Sequence, residues 1–303
     1  MTALVLALVL DALAGEPRLL WGRWPHPAVL AGRAVAALDD RLNEGEGRAW
    51  RGLLALVVLV AGAGALGMLL MSLPGIWAEF LVVAVLVAQR SLSDHVEAVA
   101  RALDVSLASG RMAVARIVGR ETAAMDEPAV ARAAIESAAE NLSDGVVAPV
   151  FWYVVAGLPG ILIYKIVNTA DSMIGHRTER HREFGRAAAQ FDDLLNWIPA
   201  RLTALMIRAV SPQLRERGFW RGVRRDAGKH VSPNAGWPEA AMARALGIAL
   251  SGPRVYQGQM RDDPFVNENG RRGIGTGEIR QAVGMLWRVW GVVLGVAVAG
   301  AMF

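Results

Sequence analysis

The uncharged run from Leu53 to Leu73 constrains the fold of this chain more than any other feature of its sequence. It has the length of about twenty residues that a helix needs to cross the roughly 30 Å hydrocarbon core of a bilayer. Soluble helices rarely extend so far without a polar side chain. A buried helix pair of a soluble protein is therefore the weaker alternative, and the sequence predicts an integral membrane protein.

Other apolar segments add to this one. Ile76–Ala88 follows directly after the breaker Pro74–Gly75 and carries one charge, which predicts a transmembrane hairpin with the first run. Val289–Phe303 is uncharged and has tryptophans at its start, as interfacial anchors of a span do. Met1–Leu10 is also apolar but short for a span.

The apolar segment Val146–Val167 is interrupted by Gly157–Gly160. Arginine-rich stretches flank it on both sides, and the positive-inside rule favours the cytoplasm for both. A single crossing would separate them, so the segment is predicted to be re-entrant or broken, which requires protein or water around its turn. The prediction is an all-α polytopic membrane protein in one domain, 1–303, with about four to five embedded helical segments and a cytoplasm-facing helical active-site region.

Composition narrows the function classes. Apolar residues make up 54% and charged residues 20% of the chain, below the roughly 25% charge of soluble domains. With no cysteine, thiolate nucleophiles, disulfides and cysteine metal sites are excluded. Neither of the two lysines, Lys165 and Lys229, follows the glycine pattern of a Walker loop. The arginines are dispersed among acids, which argues against nucleic-acid binding.

The first polar motif precedes the broken segment. Glu140, Asn141 and Asp144 lie at a predicted membrane boundary, where desolvated acids are costly unless they are paired or bind a cation. Glu136 lies one helical turn after Arg132, and the alternative for it is a surface ion pair with that arginine.

A second motif directly follows the segment. Asn168, Asp171 and Ser172 share one face if the chain is helical. Their amide, carboxylate and hydroxyl oxygens suit Mg²⁺, and hydrogen bonding between helices is the alternative. His176 and Arg177, next along the chain, could contact phosphate.

Two more motifs lie further on. The adjacent acids Asp192 and Asp193 repel one another unless a cation holds them, or they form the cap of a helix. In the fourth motif, a loop with two prolines precedes a helix whose amino terminus could bind an anion, or it is an ordinary capped loop. The other polar candidates in these two motifs are Asn196, Arg201, Ser232, Asn234 and Glu239.

Taken in order, stretches that span nearly the whole chain form a specific pattern. They are Asp11–Pro17 with His26–Pro27, Gly110–Val118, Glu136–Pro149, Tyr164–Arg177, Asp192–Thr203 and Ser232–Met242. In these stretches the chain resembles the CobD/CbiB family of cobalamin biosynthesis, the adenosylcobinamide-phosphate synthases. Asn267–Glu278 matches less clearly.

The resemblance implies a multi-pass enzyme of the bacterial cytoplasmic (inner) membrane with its active site facing the cytoplasm. Such enzymes join adenosylcobyric acid, a corrinoid, to (R)-1-amino-2-propanol or its O-phosphate through an amide bond. ATP as co-substrate and Mg²⁺ are the expected requirements. Association with other cobalamin-pathway enzymes is a further expectation, and the sequence leaves open the oligomeric state and whether the amine is phosphorylated.

Roles follow as hypotheses on the positions that the resemblance marks. We expect the Mg²⁺ ligands among the carboxylates, His176 as a base, and Arg177 and Arg201 on phosphates. The amides, hydroxyls and Glu239 would bind substrates. The carboxylates expected in catalysis and metal binding are Glu140, Asp144, Asp171, Asp192 and Asp193; the residues expected to bind substrates are Asn141, Asn168, Ser172, Arg177, Asn196, Arg201, Ser232, Asn234 and Glu239.

Two other classes of function remain as alternatives. Broken helices with polar groups at membrane depth also suit a transporter, although the sequence shows no symmetric halves. A non-catalytic membrane scaffold for corrinoid pathway enzymes is the second alternative.

Overall fold

The computed structural model describes residues 1–16, 21–211, 218–256 and 259–302, and nearly all of its regular structure is helical. The predicted all-α class is confirmed, with two pairs of short strands in addition. Pro17, the end of the first matching stretch, lies outside the described residues. The helices are α1 (Thr2–Ala14), α2 (Pro27–Leu42), α3 (Arg48–Met71), α4 (Trp77–Leu86), α5 (Gln89–Val105), α6 (Leu107–Val114), α7 (Glu127–Leu142), α8 (Ala148–Ile174), α9 (Arg186–Val210), α10 (Phe219–Ala227), α11 (Gly236–Leu246) and α12 (Thr276–Ala301).

Two compact units make up the chain. The first unit comprises Met1–Ala88, Ala148–Trp197 and Val296–Phe303, and the second comprises Gln89–Val147 and Ile198–Gly295. That the chain behaves as one polytopic domain stays a prediction.

Within the described residues, three helical stretches are long and apolar enough to cross a membrane. They are α3, the continuous stretch Glu127–Ile174, and α12. Exposed side chains of α3 include Leu54, Val57 and Leu69, an apolar surface typical of a face that contacts lipid. The shorter apolar helices α1 and α4 coincide with the other segments that the sequence indicated. The number of spans stays a prediction.

Helix α8 is broken where the sequence predicted a break. Ala156 and Gly157 have non-helical dihedral angles, with φ at +61° for Gly157, a conformation that favours glycine. A Cβ on Gly160 would lie 2.2 Å from the carbonyl oxygen of Trp152, whereas eight residues of a straight helix rise about 12 Å. The chain therefore reverses direction at Gly157, and the two halves of α8 form a hairpin.

The second half of α8 runs antiparallel to α3. A Cβ on Gly67, near the end of α3, would lie 2.5 Å from the Cα of Pro159. Near the start of α3, a Cβ on Gly52 would lie 1.9 Å from the carbonyl oxygen of Phe184, which follows α8. Glycine at both positions lets the backbones touch, and Tyr164 and Val167 of α8 lie in the buried core between them.

The core of the second unit is α7, most of whose residues are buried. Its amino terminus is capped by Asp126, whose Oδ1 accepts a hydrogen bond from the amide of Ala129 at 2.8 Å, and α5, α6 and α11 pack around it. A π-helical turn, Ser143–Val147, follows α7. The strands are β1 (Leu250–Ser251), paired antiparallel with β4 (Phe265–Val266), and β2 (Arg254–Tyr256), paired antiparallel with β3 (Gln259–Arg261).

Candidate functional site

A network of acids and amides joins α8 to α9 in the first unit. Asp192 is buried, and its Oδ2 accepts a hydrogen bond from Asn196 Nδ2 at 2.9 Å. Asn168 Nδ2 lies 3.4 Å from the other carboxylate oxygen. The hydroxyl of the buried Tyr164 donates to Asn196 Oδ1 at 3.0 Å, which fixes that amide with its nitrogen toward Asp192.

Asp192 has an unusual electrostatic environment. Burial, followed by the nearby charge of Asp171, raises the pKa of Asp192 to about 7, although the hydrogen bonds from Asn196 and Asn168 act in the opposite direction. Asp193 raises the pKa of Asp192 further. Three carboxylates therefore act on one another here, and a buried pair of like charges favours either a shared proton or a bound cation.

The structure brings together most of the first-unit residues that the sequence singled out. Asp192 lies well inside α9, so the helix-cap interpretation of the adjacent aspartates is wrong. Ser172 donates its hydroxyl to the carbonyl of Asn168 at 2.9 Å. His176 and Arg177 lie in the exposed loop after α8, and their roles as base and phosphate ligand stay predictions.

The donor set of this cluster fits Mg²⁺. Mg²⁺ prefers oxygen ligands, and one or two carboxylates commonly hold it together with substrate phosphates and water. Within the described part of the chain, no group of three or more His, Asp or Glu side chains is arranged to hold a metal by itself. An ion at Asp171 and Asp192 would therefore need further oxygens from a substrate or from water.

In the second unit, a buried glutamate collects donors from three segments. Arg120 Nη2 donates to Glu136 Oε2 at 2.9 Å, and Arg254 Nη1 lies 3.5 Å from the same oxygen. The amide of Ser251, whose φ is +59°, donates to Glu136 Oε1 at 2.7 Å. The interpretation of Glu136 as half of a surface ion pair with Arg132 is wrong, because Glu136 is only 7% exposed and binds these groups instead.

A cavity opens beside this glutamate. It has a volume of about 270 Å³ and lies between the start of α7, the preceding loop and β1–β2. Three arginines line it: Arg120, Arg132 and Arg254. Such a pocket can hold a small charged molecule.

A second buried acid in this unit, Glu239, lies next to His230. Burial, followed by the charges of Glu136 and Glu140, raises the pKa of Glu239 well above its usual value. His230 Nδ1 lies 3.0 Å from the amide nitrogen of Ser232 and 3.3 Å from its carbonyl oxygen, and Nε2 lies 3.5 Å from Glu239 Oε1. A carboxyl group and an imidazole therefore lie side by side, and both are groups that can take part in proton transfer.

Arg201 of α9 contacts the loop before α11 and the first turn of α11. Arg201 Nη1 donates to Asn234 Oδ1 at 3.0 Å, and its guanidinium carbon lies 4.7 Å from the ring centroid of Trp237. Ser232 Oγ accepts from the amides of Asn234 and Ala235 at 3.2 and 3.3 Å, which shapes the turn. The sequence placed these residues in separate motifs, and the structure brings them together.

The residues around the π-helical turn are more open. Glu140 and Asn141 are exposed, and Asp144 is half-buried within the turn itself. Asn141 Nδ2 donates to the carbonyl of Ser137 at 2.9 Å. Short π-helical insertions are frequent at functional sites, and the metal-binding role expected of Glu140 and Asp144 stays a prediction.

Sequence reasoning missed several residues. Tyr164 lies four residues before Asn168, so helical spacing could have placed both on one face. Arg120 and Arg254 had no such signal, because their significance depends on a contact with Glu136 across the sequence. The predicted residues are divided between the units, and their convergence on one pocket stays a prediction. In the first unit are Asn168, Asp171, Ser172, His176, Arg177, Asp192, Asp193 and Asn196; in the second are Glu140, Asn141, Asp144, Arg201, Ser232, Asn234 and Glu239.

The comparison with protein families shows which family the chain belongs to. The model described as "CobD/Cbib protein" matches residues 4–286, nearly the whole chain. The chain belongs to the CobD/CbiB family. The family and its named members support a role for this chain in cobalamin biosynthesis.

Individual relatives agree with the family assignment. The chain is 49% identical to the cobalamin biosynthesis protein CobD of Rhizobium meliloti (strain 1021), over 99% of this chain and 96% of that protein. It is 45% identical to the protein of the same name from Brucella anthropi, with the same coverage. With that of Rhodobacter capsulatus it shares 47% identity, over 87% of this chain and 86% of the relative. No solved structure matches the chain.

Proposed function

We propose that this CobD/CbiB family member is an ATP- and Mg²⁺-dependent ligase that forms an amide bond between adenosylcobyric acid and (R)-1-amino-2-propanol or its O-phosphate. The product is adenosylcobinamide or its phosphate. The observation that carries the proposal is the buried Asp192 beside Asp171 in a chain of this family, because neighbouring acids with oxygen-rich surroundings suit a Mg²⁺–nucleotide.

The chemistry explains why such groups are needed. A carboxylate does not expel oxide when an amine attacks it, so in our proposal the terminal phosphoryl group of ATP is first transferred to the corrinoid carboxylate, which releases ADP and gives an acyl phosphate. The amine then attacks the acyl phosphate, the amide C–N bond forms, and inorganic phosphate leaves. Bound Mg²⁺ supplies charge neutralisation on the phosphates.

The first unit contributes the groups that hold this charge. Asp171, Asp192 and Asp193 are the acids that would bind the ion. Asn168 and Asn196 hold both oxygens of Asp192 in place, and Tyr164 fixes Asn196 in turn. Such support from neighbouring groups is typical of metal ligands.

The second unit contributes groups for proton transfer and for substrate binding. The attacking amine must lose a proton, and a carboxylate whose pKa is raised is a stronger base than an ordinary one. Glu239 has this property, and His230 lies within reach of it. Arg201, held by Asn234 and Trp237, would orient a phosphate or carboxylate group.

For localisation, we propose a multi-pass protein of the bacterial cytoplasmic (inner) membrane whose active site faces the cytoplasm. Its four or five embedded segments would be α1, α3, α4, the α8 hairpin and α12. The reversal at Gly157 supports this topology, because a segment that turns back leaves both flanks on one side of the membrane. Association with other cobalamin-pathway enzymes is part of the proposal, and nucleic-acid binding is not.

The test is product formation by purified detergent-solubilised protein. Adenosylcobyric acid, aminopropanol phosphate, ATP and Mg²⁺ are supplied together and then omitted in turn, and the amide is detected by mass. Asp171→Asn and Asp192→Asn should each lower the rate by roughly a hundredfold or more. Glu46→Gln, an exposed acid of the same unit, is the matched control and should keep the rate.

Three results would contradict the proposal. Full ATP-dependent amide formation by both aspartate variants would remove the metal assignment. Accumulation of corrinoid inside sealed vesicles without a covalent product would indicate a transporter, and inactivity of the pure wild-type protein with every substrate present would indicate a scaffold.

A further inference from the structure

Three guanidinium groups line the cavity at the start of α7, and within the described part of the chain two of them pair with a carboxylate at ion-pair distance. Glu136 is shared between Arg120 and Arg254, and Arg254 Nε also lies 3.1 Å from Asp263 Oδ2. Among the described residues, no carboxylate lies within 4.0 Å of the Arg132 guanidinium, which reaches the carbonyl oxygen of Arg272 at 3.4 Å.

The arginines also have hydrogen-bonding capacity left over. Arg120 Nε is buried and has no hydrogen-bond partner within the described part of the protein. Arg132 is half-buried. A partly desolvated guanidinium whose N–H groups are not all hydrogen-bonded is costly, and an anion in the cavity would supply further acceptors to both groups.

The size of the cavity limits the anion. A volume of about 270 Å³ lies just below the roughly 300–1,000 Å³ of pockets for drug-sized ligands. A phosphate group on a few carbon atoms fits within this volume, which favours a small ester over a whole nucleotide. Guanidinium forks match phosphate oxygens in a bidentate geometry.

Two further residues that line the cavity are acids, and they favour a ligand that also has a positive charge. Glu121 and Asp126, both exposed, line the same cavity. Asp126 already caps α7, so the anion would be held by side chains more than by the helix terminus. An ammonium group on the carbon chain of such a phosphate ester would face these two acids.

We propose that the pocket of Arg120, Arg132 and Arg254 is a binding site for the phosphate group of a small phosphate ester. The inference deepens the proposed function and rests on it only for the source of the phosphate, which would be the amine substrate. Phosphate binding itself can be measured without turnover, so the two proposals can fail separately.

The first experiment measures binding to the full-length protein in detergent by calorimetry. The ligands are inorganic phosphate, aminopropanol phosphate and ATP, each without the corrinoid. Arg132→Gln should weaken binding of the first two by roughly tenfold or more, the value of one lost charge-assisted hydrogen bond, and should leave ATP binding unchanged. Arg132→Lys should keep part of the affinity, and Arg101→Gln, at an exposed arginine of the same unit, should keep all of it.

Two outcomes would overturn the pocket assignment. Equal phosphate binding by wild type and Arg132→Gln is one. Weakened ATP binding with unchanged aminopropanol phosphate binding is the other, because it would make the terminal phosphate of the nucleotide the ligand.

A second measurement needs no variant. Phenylglyoxal modifies accessible arginines, and mass spectrometry locates the label. Phosphate should slow the labelling of Arg132 and leave that of Arg101 unchanged, and equal labelling of Arg132 with and without phosphate would overturn the assignment. Protection in an inactive protein would refute only the proposed function, whereas amide formation without protection would refute only the pocket.

Discussion

The two polar regions of this protein surround a buried acid with opposite kinds of neighbouring groups. In the first unit, Asp192 has amide neighbours and other acids around it, and its pKa is raised to about 7. In the second unit, Glu136 is buried to a similar degree, but two arginines and a backbone amide surround it. The described neighbours of the Asp192 carboxylate are amides and other acids, whereas those of the Glu136 carboxylate are guanidinium groups and a backbone amide.

The difference shows how local charge balance indicates ligand type. An acidic cluster without cations is unfavourable alone and becomes favourable when a metal ion binds. A guanidinium cluster that shares its carboxylate partners is stable enough to fold and can still bind an anion. The same contrast makes opposite predictions for the removal of an acid.

The largest effect is expected for Glu136→Gln. Removal of this carboxylate charge leaves Arg120 and Arg254 partly buried without their shared partner, which costs roughly 3–5 kcal/mol when a buried pair is broken. The apparent free energy of unfolding in detergent, from denaturant titration, should fall by this order. The double variant Glu136→Gln with Arg120→Gln should lose less than the sum of the two single losses, and additive losses would contradict the pairing.

Asp192→Asn should have the opposite sign. Because the folded-state pKa of Asp192 is raised from 3.8 to about 7, the folded state holds a proton that the unfolded chain has lost between these two values. Stability contributed by this group is therefore full below about pH 4, falls as the pH rises to about 7, and stays low above it.

The size of this second effect follows from the shift. The ionised aspartate costs on the order of 4 kcal/mol, and the amide loses one hydrogen bond of about 1 kcal/mol, so Asp192→Asn should gain roughly 2–3 kcal/mol at about pH 8. Mg²⁺ should raise the melting temperature of the wild type and not that of the variant. A variant less stable than wild type at this pH would contradict the account.

A smaller loss is expected for Gly67→Ala, which tests the hairpin that carries Asp171. The new Cβ would lie 2.5 Å from the backbone of Pro159, and such overpacking typically costs about 1–3 kcal/mol. Gly62→Ala is the control on the same helix, because a Cβ there meets nothing within 4 Å. Equal melting temperatures for the two variants would contradict the close contact between α3 and the α8 hairpin.

The smallest effect is expected for Asp39→Asn. Although burial opposes it, hydrogen bonds from Arg180, Asn43 and His181 lower the pKa of Asp39. Asp39 therefore stabilises the fold above the usual carboxyl pKa, and this contribution is lost as the pH falls through its folded value. Because Arg180 is 55% exposed, the loss at neutral pH should be only about 1 kcal/mol. A pH-independent difference in melting temperature would contradict the pairing.

Much of the fold was predictable from the sequence, because uncharged length and glycine placement act locally. The run Leu53–Leu73 became α3, and the interruption Gly157–Gly160 became a reversal of the chain. The spacing of Asn168 and Asp171 also predicted that they share one helical face, and the structure shows Asp192 as a neighbour of both. These predictions needed only the period of a helix and the cost of polar groups in lipid.

The second region was much harder to predict. Glu136 lies one turn after Arg132, so helical spacing favoured that pair. Its buried partners are instead Arg120, in the loop before α7, and Arg254, in β2. The amide of Ser251 reaches Glu136 through an unusual backbone angle that its residue type does not indicate. Long-range contacts of this kind depend on tertiary packing, which spacing alone does not record.

The transfer of oxygen from the corrinoid carboxylate tests the central claim most directly. Adenosylcobyric acid with heavy oxygen in its free carboxylate is incubated with the purified protein, aminopropanol phosphate, ATP and Mg²⁺, and the products are analysed by mass. The account predicts one labelled oxygen in inorganic phosphate for each amide formed. Label found in AMP, or no amide in the complete mixture, would contradict it.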